Sequence, residues 1–256
     1  MVFNKNISGF ENEMEFVRYF NNKKISEFDS LTAEFLKSLF NGITECAKIK
    51  CWKVPGYSKV DIRIKINDVI KNISIKKGIK NEVHVETIDN FIEFLISLSI
   101  NENNLNEIRK YLYADGTNNG SGIIRQSVSE YKEKNQKVID IINEELNQTS
   151  IIESAVNRFL FKGRISELEV DAIIYGVVDD FLWITKEEVF KMIKLKEKVY
   201  STALHFSFLT VQVWDRNLKR NPKYEYLRNY VQVKWYNVSD DIIEAMAFVR
   251  QQRNID

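Results

Sequence analysis

The chain is poor in the residues that build metal clusters and disulfide frameworks. Its two cysteines, Cys46 and Cys51, form neither a C-x-x-C pair nor a disulfide scaffold. With only two histidines beside them, a structural zinc site is disfavoured. Two prolines and nine glycines are too few for long disordered linkers. No apolar run approaches membrane-spanning length, and the start, MVFNKNISGF, has no apolar signal core, so a reducing cytoplasm and no membrane partner are expected. Neither sign of charge dominates. At a net charge of +1 the whole molecule does not attract polyanions, so any such role must rest on local clusters. The pattern GxxxxGK[ST] is missing, which disfavours an ATP-binding P-loop. No internal repeat or low-complexity segment is present.

What is there describes a globular α/β protein. Hydrophobic residues make up 44% and charged residues 29%, with 16 Phe and 11 Tyr for an aromatic core. Met14, Phe16, Val17 and Phe20 recur at helical spacing, as do Leu31, Phe35, Leu36, Leu39, Phe40 and Ile43 across residues 30–46. A further helix is expected over 87–100, a loop at DGTNNGSG (115–122), and helices over 127–146 and 150–161. Strands at 170–178 and 181–184 lead to a helix over 186–200. The alternation in 205–214 and 230–236 predicts a small C-terminal antiparallel sheet. The expected architecture is a central mixed sheet flanked by helices, with appended helices and that second sheet. Residues 1–100 would form a core and 101–256 the remainder and an extension, in one compact unit.

The most informative stretch is 59–86, KVDIRIKINDVIKNISIKKGIKNEVHVE. It reads as two strands and a turn, followed by the start of a helix. Ile62, Ile64 and Ile66 alternate with Asp61, Arg63 and Lys65; Ile73 and Ile75 alternate with Ser74 and Lys76. A turn centred on Asn67 and Asp68 puts Asp61 opposite Ser74 and diagonal to Lys76. A turn at Asp68 and Val69 makes Asp61 face Lys76. Cross-strand neighbours lie roughly 5 Å apart and diagonals roughly 7–8 Å, so either register gathers the carboxylate and the ammonium. Mg²⁺ takes carboxylate oxygens, keeps several waters and binds phosphate, and a neighbouring Lys orients water or neutralises charge on the phosphate. Glu86 is the expected second carboxylate. The competing reading is a solvated cross-strand ion pair on an amphipathic hairpin.

This arrangement is similar to the PD-(D/E)XK nuclease superfamily, which includes many restriction endonucleases. Asp61 stands for the first-strand Asp and Lys76 for the second-strand Lys, over a resemblance spanning about residues 9–100. Val60 replaces the common Pro, and Ser74 stands where an acid is usual. A subgroup with Ser at that position takes its acid from the following helix, and Glu86 matches it. The string SIKKGIKNEVHVE also looks like a signature of restriction endonucleases. The resemblance implies a restriction endonuclease-like fold and a Mg²⁺-dependent endodeoxyribonuclease, in which Asp61 and Glu86 hold metal and Lys76 acts on the attacking water or the phosphate. It implies a further Glu on the first helix, Glu13, with Glu11 as the fallback. Products would carry 5′-phosphate and 3′-hydroxyl ends. A homodimer on double-stranded DNA, of the restriction–modification kind, completes that picture.

Contacts to DNA are expected from Arg216, Lys219, Arg220, Lys223, Arg228 and Lys234, interleaved with Tyr224, Tyr226 and Tyr230, and from Arg125 beside the 115–122 loop. A solvated hairpin is the plain alternative. His84 is expected to cap or pack, with a proton relay as the sharper option, and His205 to lie in the core. Two other functions stay open: a non-catalytic DNA-binding module, favoured by Ser74 at the acid position, and a repair or RNA-processing nuclease of the same superfamily.

Overall fold

Strict alternation of isoleucine with polar residues builds the central hairpin. In the computed structural model, which describes residues 8–56, 58–78, 81–165, 167–195, 203–213 and 222–253, Ile62, Ile64 and Ile66 are all buried. They lie on strand β2 (Ile62–Ile66), which pairs antiparallel with β3 (Val69–Lys76) and with β1 (Ile49–Lys53). Ile66 pairs with Val69, so the turn is Asn67–Asp68, and Asn67 takes the left-handed φ of 54° that Asn tolerates. This is the first of the two registers considered above.

β3 also runs parallel to β5 (Ala172–Val177), which pairs antiparallel with β6 (Asp180–Thr185), giving a five-stranded mixed sheet in the order β1-β2-β3-β5-β6. On the isoleucine face, α1 (Gly9–Phe20) and α2 (Ser30–Leu39) contribute Phe16, Phe20, Phe35 and Leu36 to a core with Ile62, Ile64, Ala172 and Trp183. Phe16 meets Phe181 edge-on at 5.6 Å. Ser8 starts α1 with a capping box, in which the Glu11 carboxylate accepts from the Ser8 N–H at 2.8 Å. α7 (Lys186–Leu195) and α8 (Val238–Arg253) complete this first unit, which spans residues 1–81, 160–195 and 237–256.

The second unit takes residues 82–159 and 196–236. β4 (Asn81–Thr87) lies beside β9 (Tyr230–Trp235), which pairs antiparallel with β8 (Leu209–Val213), itself antiparallel to β7 (His205–Phe206). The helices α3 (Ile88–Ser97), α4 (Glu102–Tyr113), α5 (Val128–Leu146) and α6 (Thr149–Val156) belong to the same unit. Its core includes Phe91, Phe159 and Phe206, all fully buried.

Several boundaries differ from the sequence reading. The helix from Ser30 ends at Leu39, with Gly42 at φ 68° soon after. Residues 81–87 are a strand, not the start of a helix, so Glu86 is a strand residue. The expected strand 205–214 is a hairpin broken at Ser207, whose φ is 51°, and residue 214 lies outside the described residues. The second sheet is not purely C-terminal, because β4 joins it. Residues 82–100, expected with the core, group with the second unit.

Phe16 fills the space between α1 and the sheet and is fully buried. Phe16→Ala is expected to cost about 3–5 kcal/mol, measured as a lower urea midpoint with an unchanged slope.

Candidate active site

The β2–β3 register brings Asp61, Ser74 and Lys76 together in the first unit. Ile62 pairs with Ile73, and Asp61 precedes this pair directly, within reach of Ser74. Its backbone continues the sheet beyond β2: its N–H donates to the Ile73 carbonyl at 2.9 Å, and its carbonyl accepts from the Val54 N–H at 2.9 Å. The Asp61 side chain is equally constrained. Oδ2 accepts from the Ser74 hydroxyl at 3.0 Å, from the Ile75 N–H at 2.6 Å and from the Lys76 ammonium at 3.5 Å. Lys76 also donates to the Ile75 carbonyl at 3.3 Å. The Asp61 and Lys76 side chains remain 18% and 24% exposed, so this pair is held yet open to a ligand. Ser74 itself is fully buried.

Tyr175, cross-strand from Lys76 on β5, donates its hydroxyl to the Gly78 carbonyl at 2.8 Å and fastens the chain just after β3. This contact has no linear signature, because it joins residues 97 positions apart.

Glu13 meets Lys53 in an ion pair. Lys53 pairs with Ile62, so it belongs to the register row of the isoleucine face. Glu11, the fallback, closes the capping box. The first-helix carboxylates are thus engaged by Lys53 and by the helix N-terminus.

Glu86 sits in the second unit with partners of its own. Arg158 lies 2.5 Å from one carboxylate oxygen, and His84 Nε2 lies 3.4 Å from the other. Burial alone would raise the Glu86 carboxyl; His84 and Arg158 outweigh it and hold the group below its ordinary value. The Arg158 guanidinium also lies over the Phe94 ring at 4.6 Å, and His84 packs on Phe159 at 5.2 Å. Sequence reasoning reaches His84 as a packing residue but not Arg158, whose pairing with Glu86 closes a loop of 72 residues. Among the described residues, no group of three or more His, Cys, Asp or Glu side chains gathers where a metal ion could be held.

The expected DNA contacts divide. Arg216, Lys219 and Arg220 lie outside the described residues. Arg125 is buried and donates to the Arg228 carbonyl at 3.1 Å. Arg228 reaches the fully buried Asp115 carboxylate at 2.5 Å and also donates to the Gly122 carbonyl. Asp115 further accepts from the Thr117 N–H at 2.9 Å and the Gly122 N–H at 3.1 Å. Residues 115–122 are thus a loop tied by hydrogen bonds. Gly122 is required there, because a Cβ would meet the Asp115 carbonyl oxygen at 2.4 Å. Lys223 is exposed, and Lys234 is half-buried over the Tyr236 ring at 6.0 Å. Gln232 donates to Glu82, and His205 is buried, with a ring nitrogen 3.0 Å from the Ala203 carbonyl.

Among the described residues, no helix is long and apolar enough to cross a membrane. No protein-family model matches the chain, and no curated protein sequence matches it. Among solved structures, the chain is similar to the restriction endonuclease MspI in complex with its cognate DNA, at a TM-score of 0.54 and 13% identity, covering 87% of each chain. The five-stranded mixed sheet with flanking helices and a second sheet is therefore a restriction endonuclease-like fold.

Proposed function

We propose that the protein is a Mg²⁺-dependent endonuclease of double-stranded DNA, of the type II restriction kind, acting as a homodimer. The observation that supports this most is the Asp61–Ser74–Lys76 cluster at the end of paired central strands in that fold.

The residues fit the ion. Asp61 offers a hard anionic oxygen donor, and every hydrogen bond to its side chain described above falls on Oδ2, which leaves Oδ1 for a ligand. Mg²⁺ needs no more than one or two carboxylates, because water and substrate phosphate complete its shell. When bound, the ion polarises the phosphoryl group and makes a bound water more acidic. Lys76 orients the attacking water and offsets negative charge growing on the phosphate. Glu86 is left out of the proposed centre: Arg158 already neutralises it, and its side chain is only 4% exposed. Glu13 is left out because Lys53 engages it.

A second reading, a non-catalytic DNA-binding module, is favoured by the lack of any three-ligand group among the described residues. Plasmid digestion separates the two. The nuclease reading expects cutting in Mg²⁺, abolished by Asp61→Ala and slowed about 10²–10³-fold by Lys76→Ala. DNA binding by wild type with no cutting in Mg²⁺ or Mn²⁺ would establish the module.

Glu86→Gln tests the assignment of that carboxylate. Breaking a buried ion pair is expected to destabilise the fold by about 3–5 kcal/mol, read by urea unfolding, without abolishing cutting by the protein that stays folded. Because Glu86 titrates below its ordinary value of 4.5 when folded, the pair's contribution is complete above that pH and lost as pH falls through the lowered folded value. The variant lacks that part of the acid transition.

The basic residues separate in the same way. Lys223→Ala should reduce the salt slope of DNA binding by about one charge with the melting temperature unchanged. Arg228→Ala should lower the melting temperature, since it strips the buried Asp115 of its cation.

A further inference from the structure

Ser74 stands at the strand position where an acid is expected, and its neutrality leaves open what it does. Its geometry is specific. The side chain is fully buried, and its hydroxyl donates to Asp61 Oδ2 at 3.0 Å. The Ile75 N–H donates to that same oxygen at 2.6 Å. Two donors from adjacent residues of one strand converge on one oxygen and hold the carboxylate against rotation. A carboxylate at position 74 could not donate in this way; it would set a like charge against Asp61.

On the nuclease reading above, we infer that Ser74 is a positioning residue that aligns the Asp61 carboxylate for a divalent cation, and that the centre is built around one carboxylate instead of two. Ser74 touches neither metal nor phosphate. It presents Oδ1 in a fixed direction, so that ion binding does not have to order the side chain first. With Asp61 and Lys76 carrying opposite unit charges, the DNA-free centre is close to neutral and holds a divalent ion weakly. The scissile phosphate supplies the missing negative charge, so metal and DNA bind cooperatively.

The hydroxyl's bond to a charged acceptor sets the scale of the effect. Such bonds shift an equilibrium by about 10–150-fold. In Ser74→Ala the half-saturating Mg²⁺ concentration for cleavage is expected to rise at least about tenfold. The rate at saturating Mg²⁺ should stay within about threefold of wild type. Ser74→Thr, which keeps the hydroxyl on a β-branched residue suited to a strand, restores the low Mg²⁺ requirement. Independently of cleavage, Mn²⁺ binding followed by electron paramagnetic resonance should be weak without DNA. It should tighten with DNA whose scissile phosphate is replaced by a non-hydrolysable analogue, and weaken again in Ser74→Ala. Thermal melts of all three proteins verify folding.

Cutting by Ser74→Ala with an unchanged Mg²⁺ requirement would overturn the positioning role while leaving the nuclease reading intact. So would a fall in the saturated rate with no change in Mg²⁺ requirement. Tight Mn²⁺ binding by the DNA-free wild type would overturn the single-carboxylate centre. A folded wild type that neither cuts DNA nor takes up Mn²⁺ in its presence would overturn the nuclease reading, and this inference with it.

Discussion

The pairing of β2 with β3 in one register is the constraint on which the site depends. A two-residue turn at Asn67–Asp68 fixes Ile66 opposite Val69, and every pair up the ladder follows. Sliding the strand by one residue would move Asp61 away from Ser74 and turn an isoleucine row toward solvent. The core resists that slip, because Ile62, Ile64 and Ile73 are buried with Phe16 and Phe35 in one cluster. The same hydrophobic burial that stabilises the sheet therefore sets the distance between the Asp61 carboxylate and the Lys76 ammonium. Beyond the hairpin, the Val54 and Ile73 backbone bonds keep Asp61 in the ladder instead of in a loose strand end.

Among the described residues, a few charges are committed to structure. In the second unit, Glu86 with Arg158, and Asp115 with Arg228, are buried acid–arginine pairs. A buried pair of this kind adds little net stability over an apolar substitute, but removing either member leaves an uncompensated charge. Arginine suits the role, since its planar fork meets a carboxylate and a carbonyl together, as Arg228 does with Asp115 and Gly122. A net charge of +1 thus conceals a division between cations that hold loops and those, such as Lys223, that face solvent.

The hairpin and the convergence of Asp61, Ser74 and Lys76 were legible because strand alternation is a local rule, whereas the turn was narrowed only to two positions, of which the structure takes Asn67–Asp68. The ends of elements were less so. The strand β1, Ile49–Lys53, is five residues long with Lys50 and Lys53 in it, too short for alternation to stand out. The helix α4 did carry a signal: Leu105, Ile108 and Leu112 recur at helical spacing behind an Asn101 cap whose side chain accepts from the Asn103 N–H. The pairing of Glu86 was not legible at all, because Arg158 is far along the chain and acquires meaning only when β4 is placed beside it. For the same reason Arg125 and Arg228 read as surface cations, although the fold turns them inward.

The replacement of an acid by Ser74 need not signal loss of function. Two carboxylates about 3 Å apart repel each other, and a site holding both must keep a cation nearby or let one take up a proton. A neutral hydroxyl removes that cost and adds a donor that fixes the remaining acid. What the exchange gives up is charge attraction for a divalent ion in the absence of substrate. In a protein whose proposed substrate is itself a dense polyanion, that loss is confined to the free state. On the proposed nuclease reading, the exchange would confine metal loading to molecules that already hold a phosphodiester, and the residue that departs from the expected pattern would be a source of selectivity.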